Sequence, residues 1–482
     1  MIEIQNPEMN RQRNIVADTI WLPKLSETDG PKYLALTRAL REAIRSGELE
    51  TGAQLPTVRE LAWQLKVTPG TVARAYNLAT QEGMLAATVG RGTFVAANAP
   101  RLGPTQALFV DREPARVSGK VDLRAPILPD VGQGAAIAAA LLALGEDGET
   151  DWIDYPSQQA ELPLRAAICD WVSDRVLGPI SADDIVLAHG GQNAINLVFM
   201  CCLRGDRPVV LTEELAYPGF RHAARLSRAE VVAVEIDDEG VVPEALEQAC
   251  RRHGAQVLCL TTEAQNPTTG RMGLARRQAI VEIARRYDLQ IIDDDCYSVA
   301  TTTLPAMRAL APERVWHVGS LSKTISAGLR FGYLVAPVGM GQTGRLTAQH
   351  QFFALSRPIE AIVLHLLQSG EAVRLRGLVQ EDLETRLQFA VNALGAFDLS
   401  WQAGLQFIFL RLPSGWRASS FCSHAEAAGV MVRSADEYAL IHGRAPNAVR
   451  VALAGNVSMA RFEDGIRRLA QLLAQPPAEL MV

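Results

Sequence analysis

Lys323 stands in the run SLSKTISAGLR, with the hydroxyls of Ser320 and Ser322 ahead of it and Arg330 seven residues behind. A lone lysine is usually a solvated surface charge. This one follows the apolar run RVWHVG, is flanked by hydroxyls and is followed by Arg330, which sets it apart from a solvated charge. QIIDDDCYS ends an apolar run in three acids, with Tyr297 three residues beyond Asp294. Such a cluster can ligate a metal, but no histidine accompanies it and no metal site is expected. In AQNPTTG, Asn266 opens a turn. HGGQNAINLV reads as a glycine turn opening a helix, whose free N–H groups at Gly191 and Gln192 suit a phosphate. Arg450, in NAVRVALAG, offers a planar fork for a carboxylate or for an interdomain salt bridge.

These residues sit among short β-rich runs that alternate with helical patterns. The expected strands are DIVLAH, PVVLTE, EVVAVEI, QVLCLTT, QIIDDD, RVWHVGS and FGYLVAP. Between two of them, ARRQAIVEIARRYD places Ala279, Ile280, Ile283 and Tyr287 on one helical face. The alternation predicts an α/β body, a mainly parallel sheet covered by helices on both faces. LQFIFLRLP and NAVRVALAG, near the end, read as a smaller α+β domain.

The N-terminal part follows another pattern. Residues 31–47 read as a helix with Leu34, Leu36, Leu40 and Ile44 on one side. Thr57 can cap a second short helix and Thr68 a third, with Pro69 tolerated at its first position. MLAATVGRGTFVA then reads as a hairpin. Three short helices and a hairpin make a winged helix-turn-helix. The expected organisation is an extension over 1–30, this head over 31–97, a Pro-, Arg- and Gly-rich linker over 98–121, and a body over 122–482. Within the body, a large subdomain spans about 150–350, and a small one combines the preceding segment with about 351–482.

The chain has 482 residues, enough for about three folding units at roughly 150 residues each. Its longest apolar run, Ala135–Leu144, is shorter than the roughly 18 to 20 residues of a membrane span, and the polar start has no signal-peptide core. Seven cysteines without a CxxC pair argue against a disulfide framework or structural zinc. A cytoplasmic, multi-domain protein is expected. The net charge of −6 is uneven: residues 31–97 carry eight basic and five acidic residues, +3, which leaves −9 for the rest. A basic module on an acidic body suits a DNA-binding head.

The run GAQLPTVRELAWQLKVTPGTVARAYNLATQEGMLAATVGRGTFV resembles the GntR-type winged-helix family. The resemblance implies that Arg59, Thr68, Gly70, Thr71 and Arg74 face double-stranded operator DNA, with Arg91 and Gly92 at the wing tip. Relatives often carry arginine where this chain has Pro69-Gly70, which shifts weight onto Arg59 and Arg74. Ion pairing within the head is the alternative role for either arginine.

From about Asp122 onward the chain resembles the fold-type I aminotransferases, on the motifs around Lys323, Asp294, Asn266 and Gly191. The resemblance implies pyridoxal 5'-phosphate (PLP) as cofactor, in Schiff-base linkage to Lys323. Ser320, Ser322 and Arg330 would hold the phosphate, with the N–H groups of Gly191 and Gln192. Asp294 would pair with the pyridine nitrogen, Asn266 and Tyr297 would reach the 3'-oxygen, and Tyr217 would stack on the ring. Tyr155, in DYPSQQAELPLRAAI, matches a tyrosine lent to the partner subunit's phosphate site, and Arg450 matches the clamp for an α-carboxylate. AQNPTTG has one residue more than usual before its glycine, and Ala160 stands where a glycine is common.

The union of the two halves resembles the MocR subfamily of GntR-type regulators over roughly residues 31–475. It implies a homodimeric, PLP-dependent transcriptional regulator that senses an amine or amino-acid-like effector through aldimine exchange at Lys323, without physiological turnover. A working aminotransferase with a DNA-binding extension is the alternative. A repressor whose body only dimerises is a third reading, and the intact lysine, acid and tyrosine set argues against it.

Overall fold

Thr57 accepts a hydrogen bond from the Glu60 N–H at 3.3 Å while the Glu60 carboxylate takes the Thr57 N–H at 3.4 Å, a reciprocal cap that starts the second helix of the head. The computed structural model describes residues 21–23, 31–46, 48–50, 52–81, 84–88, 92–96, 119–147, 152–297, 303–440 and 445–475. The chain divides into two compact units, Met1–Ala107 and Leu108–Val482.

The first unit holds α1 (Lys32–Ser46), α2 (Val58–Gln64) and α3 (Pro69–Gln81), followed by β1 (Leu85–Thr88) and β2 (Gly92–Val95). Leu36, Leu40, Leu61, Val72 and Ala75 close its core, and the strands pair antiparallel with Leu85 opposite Val95. Tyr76 donates from Oη to the Pro56 carbonyl at 2.9 Å, tying α3 to the start of α2. Thr68 Oγ1 takes the Thr71 N–H at 3.3 Å at the head of α3. This is a winged helix-turn-helix. Arg91 lies outside the described residues.

In the second unit, β3 (Val121–Asp122) comes first. The large sheet then takes β4 (Ile185–Ala188), β5 (Val209–Glu213) and β6 (Glu230–Val234), with a ribbon of β7 (Ile236–Asp237) and β8 (Gly240–Val241) after them. It continues with β9 (Val257–Leu260), β10 (Gln290–Asp294), β11 (Val315–Ser320) and β12 (Gly332–Val335). The order is β4-β12-β11-β10-β9-β5-β6, and each of the seven predicted β-rich runs supplies one strand. All neighbours are parallel except those of β12, which runs against β11 and β4. A parallel return needs a helical crossover, and residues 321–331 between β11 and β12 form only two 3-10 turns. Helices cover both faces. Gly191–Cys202 and Pro218–Leu226 pack with Val186, Val210 and Trp316 on one side, and Pro243–His253 and Leu274–Arg286 pack with Leu211, Leu258 and Ile291 on the other.

A second antiparallel sheet follows the order β13 (Leu399–Ser400), β14 (Phe407–Arg411), β17 (Ala448–Ala452), β16 (Arg433–Ser434). The helices Glu371–Leu394, Ala418–Ala427 and Met459–Ala474 share its core. β3 pairs parallel with β15 (Val430–Met431), so the start of the body joins this smaller layer. Helix Gln133–Asp147 then packs into the large-sheet core, together with Ile362 and Val363 of helix Arg357–Gln368. Residues 123–132 therefore cross from one layer to the other. Among the described residues no helix is long and apolar enough to cross a membrane.

Candidate functional site

A cavity of about 1070 Å³ opens where the ends of β10 and β11 meet the smaller sheet. Its wall carries Lys323, Asp294, Tyr297, Asn266, Tyr217 and Arg450, and also Gly191, Gln192, Ser320, Ser322 and Arg330. Residues from six separate segments of the chain thus converge in one place.

Asp294 reaches the cavity because of the strand pleat. Successive side chains of β10 alternate faces, so its neighbours point away. Asp293 accepts from Thr262 Oγ1 at 2.7 Å, and Asp295 pairs with Arg175 at 3.0 Å. Burial pushes the Asp294 carboxyl above its ordinary range, moderated by the hydrogen bond from the Cys296 N–H at 3.0 Å. Among the described residues no ion pair engages it. A half-buried carboxyl that faces a cavity without a cation suits a cationic ligand atom.

Lys323 ends the 3-10 turn Leu321–Lys323. Ser320 Oγ caps that turn by accepting from the Ser322 N–H at 3.1 Å and donates to the Phe331 carbonyl at 3.1 Å. That carbonyl and Ser322 Oγ, at 3.0 Å, share the single Ser320 proton, so Ser320 holds the turn, while the half-buried Ser322 hydroxyl keeps its own proton to donate. The Lys323 ammonium donates to the Pro126 carbonyl at 2.7 Å.

Arg330 adopts φ 49°, in the left-handed region, and faces the N-terminus of helix Gly191–Cys202. A Cβ on Gly190 would lie 2.8 Å from the guanidinium, and one on Gly332 would lie 2.6 Å from the Gly190 backbone. Only glycine at both positions lets strand, helix and arginine meet. The N–H groups of Asn193 and Ala194 return to the Gly190 carbonyl, at 3.1 Å each. Those of Gly191 and Gln192 have no carbonyl within the helix to take them, and with Arg330 they form an anion cradle.

Tyr297 packs edge-on to Phe407 with ring centroids 5.2 Å apart, and burial pushes its phenol up to about 12. Burial raises the Tyr217 phenol as well. Both stay protonated donors at neutral pH. Arg450, on β17, is 3% exposed, with its guanidinium carbon 4.9 Å from the ring centroids of both Phe407 and Tyr438. Its Nη1 donates to Asn266 Oδ1 at 2.8 Å and its Nη2 to the Arg124 carbonyl at 3.0 Å. Those partners are neutral, and among the described residues no carboxylate pairs with Arg450. An interdomain salt bridge is therefore not its role here. With Oδ1 turned to Arg450, the Asn266 amide directs its NH₂ elsewhere as a donor.

Tyr155 does not line the cavity. It is 76% exposed and stacks on Phe353 at 5.7 Å. In the head, Arg59, Thr68, Gly70, Arg74 and Gly92 are exposed and Thr71 is half-buried. The Arg74 guanidinium lies 4.3 Å over the Tyr33 ring, and among the described residues no ion pair engages Arg59 or Arg74. Sequence reasoning missed the carbonyls of Arg124 and Pro126, because a main-chain oxygen carries no residue signature. It also missed Cys296, whose Sγ would lie 2.5 Å from a Cβ on Gly191, so that helix start needs its glycine for packing as well.

The family described as aminotransferase class I and II matches residues 128–469, well over half the chain, and the gntR family of bacterial regulatory proteins matches residues 32–95. The HTH-type transcriptional regulator YdeF of Bacillus subtilis is 28% identical over 94% of this chain and 96% of its own length. The HTH-type pyridoxine biosynthesis transcriptional regulator PdxR of Corynebacterium glutamicum is 30% identical over 69% of this chain and 71% of its own. Among solved structures, the α-aminoadipate aminotransferase LysN of Thermus thermophilus, complexed with N-(5'-phosphopyridoxyl)-L-leucine, superposes with a TM-score of 0.64 at 25% identity. It covers 76% of this chain and 95% of LysN. PLP is the cofactor of this fold, and the cavity fits it: a half-buried acid with no ion pair among the described residues, an amine and an anion cradle face one space. The chain belongs to the aminotransferase class I and II family, and its gntR-family head makes it an HTH-type transcriptional regulator of the MocR arrangement.

Proposed function

We propose that this regulator acts in the cytoplasm as a homodimer, binds double-stranded operator DNA through its heads, and senses a small amine or amino-acid-like effector in the cavity of its body. The observation that carries the reading is the convergence of Lys323, Asp294, Arg330 and Arg450 on one cavity. PLP bound there supplies an aldehyde that combines with amines. Lys323 offers the chain's own amine to it. Asp294 holds a proton on the pyridine nitrogen, and Tyr217 covers the ring. Asn266 and Tyr297 would donate toward the 3'-oxygen, while Arg330, Ser322 and the N–H groups of Gly191 and Gln192 would bind the phosphate, with Ser320, expected at the phosphate as well, holding the turn that carries Ser322. Arg450 orients an effector carboxylate as a fork. Tyr155, exposed on its own subunit, is available to a partner's phosphate site.

In this reading Arg59, Thr68, Gly70, Thr71 and Arg74 contact the operator, and Arg91 and Gly92 add to that contact. Effector and DNA are linked reciprocally, each changing the affinity for the other by the same factor. Visible absorbance of the purified protein, sedimentation with PLP bound, and DNA titrations across a panel of amines test the reading. A colourless monomer, or DNA affinity indifferent to every amine, overturns it. The complete set around Lys323 would also serve transamination, so single-turnover spectra with amino acids separate a sensor from a working aminotransferase.

A further inference from the structure

Two of the cationic groups an effector would need are held by one short piece of main chain. The Lys323 ammonium donates to the Pro126 carbonyl at 2.7 Å, and Arg450 Nη2 donates to the Arg124 carbonyl at 3.0 Å. Arg450 is only 3% exposed and its Nε has no hydrogen-bond partner among the described residues, so a carboxylate that takes the Nε–Nη2 edge as a fork competes with that carbonyl for Nη2. The same piece is pinned at both ends. Upstream, β3 pairs with β15, and the Leu123 carbonyl accepts from the Ala452 N–H at 2.8 Å. Downstream, the Ile127 carbonyl accepts from the Gly455 N–H at 2.7 Å, and the Pro129 carbonyl takes Gln133 Nε2 at 2.8 Å.

Arg124 locks its own backbone in place. Its N–H and Nε both donate to Asp122 Oδ1, and Nη2 donates to Oδ2, each at 3.0 Å. This bidentate clasp holds the Arg124 carbonyl on Arg450. In sequence the piece stands directly behind residues 97–120, which lead to the head.

We infer that Arg124–Pro129 is a strap whose Arg124 carbonyl holds Arg450, and that a carboxylate-bearing ligand binds by displacing it. The inference rests on the sensor reading of the cavity. Displacement loosens the main chain immediately behind β3, the first strand of the body after the residues that join it to the head. Site occupancy thus acts on the covalent connection between the two units.

Hydrogen exchange on the full-length protein tests this. N-(5'-phosphopyridoxyl)glycine carries a carboxylate for Arg450, and N-(5'-phosphopyridoxyl)methylamine does not. With the glycine adduct bound, the Gly455 amide should exchange about 5- to 10-fold faster, the factor one lost hydrogen bond carries, and peptides over 121–133 should gain deuterium. The methylamine adduct should produce a clearly smaller change. Arg124→Ala should raise exchange over 121–133 without any ligand, and Arg124→Lys, which keeps the charge but not the fork, should fall between. Unchanged exchange over 121–133 with the glycine adduct bound, shown by calorimetry, overturns the strap whatever the DNA affinity does. DNA affinity is read in parallel on a fragment selected by the wild-type protein from a random pool. If that affinity stays fixed while the strap loosens, the sensor reading falls and the strap stands.

Discussion

Arg450 reaches Asn266, 184 positions earlier in the chain, with a 2.8 Å hydrogen bond from Nη1 to Oδ1. One residue lies on the central β14–β17 pair of the smaller sheet, and the other lies in the turn that follows β9 of the large sheet. The bond spans the cavity wall from layer to layer and fixes which end of the asparagine amide donates. It also leaves the guanidinium between two aromatic rings, with no carboxylate on it among the described residues. This is the arginine that the proposed function gives to an effector carboxylate.

That geometry makes Arg450→Lys an informative change. A point charge replaces a planar fork, and hydrogen bonds to charged groups contribute about 1.5–3 kcal/mol each. Affinity for N-(5'-phosphopyridoxyl)glycine should fall roughly 10- to 100-fold on that scale, with affinity for PLP alone unchanged. Equal losses for both ligands, measured by calorimetry, would contradict a carboxylate role.

Lys323→Ala should abolish the visible absorption of bound PLP and its fixation to the chain by borohydride. The head should remain folded and competent for DNA, because the described residues that line the cavity all belong to the body. Effector should then no longer shift operator affinity, since a ligand without differential interaction cannot move an equilibrium. A normal effector response in this variant, seen by fluorescence titration, would sink the sensor mechanism.

Arg59→Ala and Arg74→Ala should each weaken DNA binding and lower the salt slope by about one unit for a lost phosphate contact. PLP binding should be untouched by either. Titrations between low and moderate salt decide the matter, and an unaltered slope in both variants would move the DNA contact surface elsewhere.

Glu213 is fully buried at the end of β5, where Thr261 Oγ1 donates to its carboxylate at 2.8 Å. Burial pushes its carboxyl up to about 8. A folded-state value above the unfolded one means that the folded chain binds the extra proton. This part of the stability is present at low pH and declines as pH rises from the unfolded range near 4.3 toward about 8. Glu213→Gln should flatten that decline, raising the melting temperature at pH 8 by about 2–4 °C relative to its effect at pH 5. Calorimetry at the two pH values measures the difference, and an identical effect at both would show that Glu213 does not ionise in this window.

The sequence by itself determined the parts list and its order. Short β-branched runs bounded by turn residues become strands wherever a core receives them, so all seven strands of the large sheet were legible. Caps at Thr57 and Thr68 mark helix starts through local hydrogen bonds alone, so the head was legible as well. Lys323, Arg330 and Gly191 announced themselves because each stands in a dense local motif.

Tertiary structure decided what depends on contacts far apart in the chain. Asp293, Asp294 and Asp295 are chemically identical; the family resemblance singles out Asp294, and the pleat of β10 is the physical reason that the middle one faces the cavity. The antiparallel setting of β12 and the pairing of β3 with β15 are choices of register that local propensity does not encode. The strap was invisible for a simpler reason. Its functional atoms are the backbone oxygens of Arg124 and Pro126, present in every residue, and only the folded chain places those two against Arg450 and Lys323.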